Sequence, residues 1–140
     1  MAENKSIIIP DASVILKWAL SDEVAGVDAA LKLQDDAVRG KINLIAPSHC
    51  LYEVANTLGR LTPNHAATFM SYLISYRIVE EVLLSVEMSR RALELTKKYK
   101  GLSFYDAAYH ALAIMLKGVF VTADEKYVRR ANSEGSIRLL

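Results

Sequence analysis

With only one cysteine, Cys50, the chain can form no internal disulfide, and a reducing cytoplasm is the expected compartment. Long apolar runs are missing too. The longest clean one, Ala111 to Leu116, is far too short to cross a bilayer, so no membrane association is expected. Met1 to Ser6 carries Glu3 and lacks an apolar signal region, so export is not expected. Neither sign of charge dominates. The net charge of +1 lacks the basic excess that announces many nucleic-acid binders, yet it is compatible with an acidic cleft rimmed by basic residues. Internal repeats and low-complexity stretches are absent. What remains is a 140-residue chain, 52% apolar and 24% charged, which can fill a core and is not of disordered composition. Residues 1–140 are read as one domain.

Short apolar strands alternate with helical patterns. Ile7-Ile8-Ile9 reads as a fully buried strand stopping at Pro10, because parallel strands covered on both faces are continuously apolar. A helix follows with Val14, Ile15 and Trp18 on one face. A second helix is expected from Val24 to Arg39, with Val27, Ala30, Leu31 and Val38 apolar and Gly40 as its stop. Ile42 to Ala46 is the second strand. Ser48 is a candidate cap for a helix whose stripe is Leu51, Val54, Ala55 and Leu58. Thr62-Pro63 opens another helix to about Tyr76. Ile78 to Leu84 is a third strand candidate. Ser85 caps a helix to about Lys100, stopped by Gly101, and Ser103 and Asp106 have capping-box spacing before a helix ending at Gly118. Val119 to Val121 is the fourth strand, a last helix covers roughly Glu125 to Ser133, and Ile137 to Leu140 is a candidate edge strand. The alternation predicts an α/β layer fold on a mainly parallel sheet of four to five strands.

In open α/β sheets, ligands bind beyond the carboxyl ends of the strands. Asp11 directly follows the first strand, and Asp124 follows the fourth after a two-residue turn. Either could be a helix N-cap, a position that favours aspartate, and a capping aspartate can still face a cleft. Glu53 lies on the polar side of its helix with Asn56, Thr57 and Arg60, where a solvated face is the simple reading. Asp106 lies in a first turn, where a carboxylate favours the helix dipole.

The segments Ile9-Pro10-Asp11-Ala12-Ser13, Tyr52-Glu53-Val54-Ala55-Asn56, Tyr105-Asp106-Ala107-Ala108 and Val121-Thr122-Ala123-Asp124 occur in this order on such a scaffold. Together they resemble the PIN-domain nucleases and, within them, the VapC-type toxins of toxin–antitoxin modules, over Ile7 to about Leu140. The resemblance implies a three-layer α/β/α sandwich and an acidic pocket binding Mg²⁺ or Mn²⁺. It also implies endoribonuclease activity on RNA phosphodiester bonds, a cognate antitoxin and a homodimer. By the same resemblance, Asp11, Glu53, Asp106 and Asp124 are the catalytic, metal-binding set, and Ser13 and Thr122 are accessory hydroxyls. The chain departs from the pattern at Pro10, where an aliphatic residue is more usual, which bears on where the first strand ends.

Physical chemistry supports a metal at such a cluster. Four carboxylates a few ångströms apart would raise one another's pKa values, and divalent cations with oxygen ligands remove that repulsion. One ion can activate a water and a second can stabilise the leaving oxygen, without a covalent intermediate or a histidine base. His49, His65 and His110 have no His-Glu-x-x-His spacing. His110, one turn from Asp106, reads as a surface or packing residue, with support of the site as the alternative. Cys50 reads as a small buried hydrophobe. Lys17, Arg60, Lys126, Arg129 and Arg130 are candidates for phosphate contacts or equally for solvated faces. Trp18 is expected in the core, with a partner groove as the alternative. A phosphatase of similar architecture is disfavoured because Asp11-Ala12-Ser13-Val14 lacks the second aspartate of Asp-x-Asp-x-Thr, and the acidic pair and late lysine of receiver domains are missing in the required order. A catalytically silent binding or dimerisation module is the rival from another class.

Overall fold

The computed structural model describes residues 4–20 and 25–140. Five strands, β1 (Ser6–Pro10), β2 (Ile42–Pro47), β3 (Glu80–Val82), β4 (Val119–Thr122) and β5 (Ile137–Leu139), form one sheet in the order β3-β2-β1-β4-β5. Every pairing is parallel. Seven helices are described: α1 (Ala12–Ala19), α2 (Val27–Val38), α3 (His49–Leu61), α4 (Pro63–Ser75), α5 (Val86–Lys98), α6 (Phe104–Leu116) and α7 (Glu125–Ala131). Successive strand residues point to opposite faces, and the neighbours Ile8 and Ile9, like Phe120 and Val121, are all buried. Both faces of the sheet are therefore covered, as the expected three-layer α/β/α sandwich requires. The chain lays down β1, β2 and β3 in one direction and then returns to the other side of β1 for β4. The strand order thus reverses between β1 and β4, and the carboxyl ends of these two strands bound the crevice.

Pro10 belongs to β1 rather than stopping it. The β1–β2 register ends at Ile8 with Leu44, while the β1–β4 register continues to Pro10 with Val121. The proline's missing N–H thus falls where β2 is no longer paired. Beyond it, the Asp11 N–H reaches the Val121 carbonyl at 3.2 Å.

Several expected boundaries shift. The Val24 start of the second helix lies outside the described residues. In α2 it is Ala30 and Leu33 that are buried, whereas Leu31 and Val38 face solvent. Ser48 does not cap α3 through its side chain, since its backbone is already helical; its N–H instead binds the Val82 carbonyl. Pro63 does open α4, but Thr62 turns its hydroxyl back to the Leu58 carbonyl, at 3.4 Å, instead of capping forward. The third strand is only Glu80–Val82, so Leu83 and Leu84 are exposed beyond it. The last helix ends at Ala131 and tightens into a 3₁₀ turn over Asn132–Glu134. At the end of α6 it is Lys117 that takes the left-handed conformation, φ 54°. Gly118 serves a different purpose from the helix stop expected of it: a Cβ there would lie 2.7 Å from the Ile7 carbonyl oxygen, so the β1–β4 approach needs a residue without one. Among the described residues, no helix is long and apolar enough to cross a membrane.

Candidate active site

The switch point delivers Asp11 from β1 and Asp124 from the turn after β4. Helices α3 and α6 add Glu53 and Asp106, and all four carboxylates line one open cleft of about 340 Å³, with Ser13 and Tyr109 also in its wall. Four elements that are distant in sequence therefore bring the expected acidic residues to one place.

Capping and cleft-facing roles coexist here. Asp11 Oδ1 accepts the Val14 N–H at 3.2 Å and so caps α1. Asp124 Oδ1 accepts the Tyr127 N–H at 3.1 Å and caps α7. Ser103 caps α6 through the Asp106 N–H at 3.1 Å and its hydroxyl also favours the charged Asp106 carboxylate, which lines the cleft instead of reaching back to the Ser103 N–H. Only half of the expected capping box forms.

Both oxygens of Asp11 are held by hydroxyls. Ser13 Oγ donates to Oδ1 and Thr122 Oγ1 donates to Oδ2. Thr122 is fully buried, and its oxygen also accepts the Asp124 N–H at 3.0 Å. One hydroxyl thus ties the two strand-end aspartates together. Thr122→Val keeps the shape but leaves two polar partners unmatched. Denaturant unfolding is expected to show a loss of about 1–3 kcal/mol, and an unchanged midpoint would refute this role.

Burial and mutual repulsion shift the acids in one direction. Loss of water raises Asp11, with hydroxyl and amide bonds opposing it. Glu53 is pushed up to about 7, by desolvation first and then by the charges of Asp106 and Asp11. Asp106 is raised by desolvation and by Asp124. Folded protein then binds more protons than unfolded protein as Glu53 titrates between about 4.5 and about 7, so this group's contribution to stability falls as pH rises through that window. Relative to Glu53→Gln, metal-free wild type is expected to lose Tm from about pH 5 to pH 8, and Mg²⁺ or Mn²⁺ should recover more of it at the higher pH. A Tm difference flat or rising with pH would contradict this.

Two residues stand at the site without having been expected there: His49, weighed only for metal-ligand spacing, and Tyr109. His49 Nε2 lies 3.2 Å from Glu53 Oε1 and also 3.2 Å from the Tyr105 carbonyl oxygen. Burial lowers its pKa, which favours a neutral ring whose Nε2–H points to these acceptors. The Tyr109 hydroxyl donates toward Glu53 Oε1 at 3.5 Å. The i, i+4 spacing of His49 and Glu53 was the available signal, but it is shared by many surface pairs. Of the surface and packing readings of His110, packing holds, since the residue is fully buried. Its Nδ1 meets the Tyr127 hydroxyl at 3.0 Å and its Nε2 meets the Gly135 carbonyl at 2.7 Å, joining α6 to α7 and the 3₁₀ turn. Cys50 is buried, as expected of a small hydrophobe. Trp18 belongs to the core and donates its indole N–H to the Ala30 carbonyl at 2.7 Å. None of Lys17, Arg60, Lys126, Arg129 and Arg130 lines the cleft, and Arg130 is engaged with the Lys100 carbonyl.

The donor chemistry fits a hard divalent cation: carboxylate and hydroxyl oxygens without sulfur. Among the described residues, no three acidic, histidine or cysteine side chains already converge closely enough to hold an ion.

An acidic cleft at the switch point of a parallel sheet, with both faces covered by helices, defines an α/β domain of the PIN type. A PIN domain family model matches residues 8–133, and the chain belongs to that family. Among curated proteins no sequence match is found. The fold is similar to VapBC2 from Rickettsia felis, solved bound to a DNA fragment from its promoter, at 14% identity over 96% of this chain and 98% of that one, with a TM-score of 0.70. It is also similar to VapC20 from Mycobacterium tuberculosis, described as a sarcin–ricin loop cleaving toxin, at 18% identity over 92% and 95%, with a TM-score of 0.68. FitAcB from Neisseria gonorrhoeae matches at 12% identity over 95% and 96%, with a TM-score of 0.69.

Proposed function

We propose that this protein is a metal-dependent endoribonuclease of the VapC type, the toxin of a toxin–antitoxin pair. The observation that carries the reading is the arrival of Asp11, Glu53, Asp106 and Asp124 in one cleft from four separate elements. Mg²⁺ or Mn²⁺ is the proposed ion because every donor is oxygen. Asp106 and Asp124 are exposed, so their side chains can turn toward an ion, while like charge favours keeping them apart without one. When bound, a divalent ion supplies charge neutralisation and Lewis acidity toward a phosphodiester and its attacking water.

The chain's own residues have separable tasks. Asp11, locked by Ser13 and Thr122, is a fixed anionic ligand. Both of its oxygens already accept hydroxyl protons, which suits a ligand better than the nucleophile of a phosphoaspartate mechanism. Glu53, which lines the same cleft, is the carboxylate proposed to accept a proton from the attacking water. His49 and Tyr109 orient that carboxyl.

Leu61, Ile74, Leu83, Leu84 and Val86 expose apolar surface. An antitoxin segment and a second copy of the chain are the proposed covers, in keeping with the toxin–antitoxin relatives. The test offers purified protein structured and single-stranded RNA, and p-nitrophenyl phosphate, each with Mn²⁺. RNA cleavage without monoester turnover is expected. Monoester turnover, or intact RNA throughout, would overturn the reading. Growth arrest on expression, relieved by a co-expressed neighbouring small protein, tests the toxin role.

A further inference from the structure

Resting on the nuclease reading, we propose that a second recess beside the acidic cleft is a stacking subsite for one unpaired nucleobase of the RNA strand. The recess, of about 400 Å³, is lined by His49, Tyr52, Glu53, Asn56 and Tyr105. It adjoins the cleft directly, because Glu53 lines both.

Two large aromatic side chains stand open to solvent at this spot. Tyr52 is 80% exposed and Tyr105 is 63% exposed. Each immediately precedes a cleft carboxylate, Tyr52 before Glu53 on α3 and Tyr105 before Asp106 on α6. The backbone that aims the acid into the cleft therefore also sets the ring at its rim. Tyr105 is braced, with its ring packing edge-on to His49 at 5.5 Å, and His49 packing edge-on to Tyr109 at 4.9 Å. A braced ring loses little further entropy when a planar ligand stacks on it. Asn56 adds an amide that can donate to and accept from a base edge.

These features select the occupant. A phosphate would be repelled by Glu53 and finds no cation in this wall. A base is planar and uncharged and carries donors and acceptors at its edge. It is covalently joined to a phosphate, so a base beside the cleaved bond can enter a recess that shares Glu53 with the cleft. Base–aromatic stacking is tolerant of sequence, because every base has a π-face. A base held in a duplex cannot present a free face here, so the subsite favours a loop or single strand.

The test compares two single-stranded oligoribonucleotides with Mn²⁺, identical except that one carries an abasic nucleotide beside the cleaved bond. Wild type is expected to cut the base-bearing strand with a kcat/KM about tenfold higher. Tyr52→Ala and Tyr105→Ala should each lose about tenfold, mainly in KM, on the base-bearing strand, and should no longer distinguish the two substrates. Tyr52→Phe should restore discrimination. Both rings are solvent-exposed, so an unchanged Tm serves as the folding control. Full activity of both alanine variants, or equal losses on the two substrates, would overturn the subsite while leaving the nuclease reading intact. An alanine variant that changes only self-association would do the same. Failure of wild type to cut either strand or any other RNA would overturn both.

Discussion

Asp11→Asn is expected to reduce RNA cleavage by about 10²–10³-fold, with the fold preserved. The substitution keeps size and shape in a site where both oxygens are already fixed by Ser13 and Thr122. It removes a full negative charge at the switch point and turns one of the two hydroxyl acceptors into an amide donor. Burial raises the pKa of Asp11, so the metal-free protein holds this charge at a cost, and the neutral amide relieves it. Relief of that charge opposes the loss of one hydroxyl bond, so metal-free Asp11→Asn is expected to stay folded, within about 1–3 kcal/mol of wild type, while losing activity. This pairing separates a functional charge from a structural one. Cleavage at the wild-type rate would remove Asp11 from the site, and a large drop in metal-free Tm would make it a structural cap first.

Removing divalent metal with EDTA is expected to bring cleavage to background, and added Mg²⁺ or Mn²⁺ to restore it. The cluster of raised carboxyls is the reason: burial makes Glu53, Asp106 and Asp11 resist ionisation, and neighbouring carboxylates add to it at Glu53 and Asp106. An ion reverses that penalty, so binding should also stabilise the fold. Saturation at about a hundred times Kd corresponds to roughly 2.7 kcal/mol. That stabilisation, read as a Tm increase, should be largely lost in Asp11→Asn and in Asp106→Asn. Cleavage that persists in chelator would end the metal mechanism. A Tm increase equally large in both variants would place the ion elsewhere.

Strand ends and helix starts were legible because their signals are local. Three isoleucines in a row, the Ser85 and Ser103 caps and Pro63 at a first helical position all act within a few residues. Where expectations shifted, longer-range contacts had competed. Ser48 was read as a cap, yet its amide bonds to Val82 beyond β3. Gly118 was read as a helix stop, yet its lack of a Cβ answers to Ile7 in a strand more than a hundred residues earlier. His110 was read as surface or packing, and packing holds: it is a buried tie between helices. Its periodicity could not reveal that the facing elements are also apolar.

The sequence by itself determined the alternation of strands and helices, and with it the layered parallel sheet. Hydrophobic periodicity and chain chirality leave few other ways to bury those strands. It also placed Asp11 and Asp124 directly after strands, which sufficed to suspect a crevice. Only the tertiary structure decided that Glu53 and Asp106 share that crevice, because a polar helix face reads the same toward solvent or toward a site. Only the tertiary structure, too, joined Thr122 to Asp11, set Tyr105 against His49 and left the Tyr52 and Tyr105 rings open beside Glu53. Those relations join residues 56 to 111 positions apart, as in Tyr105 with His49 and Thr122 with Asp11, and no local pattern encodes a distance that the strand order alone creates.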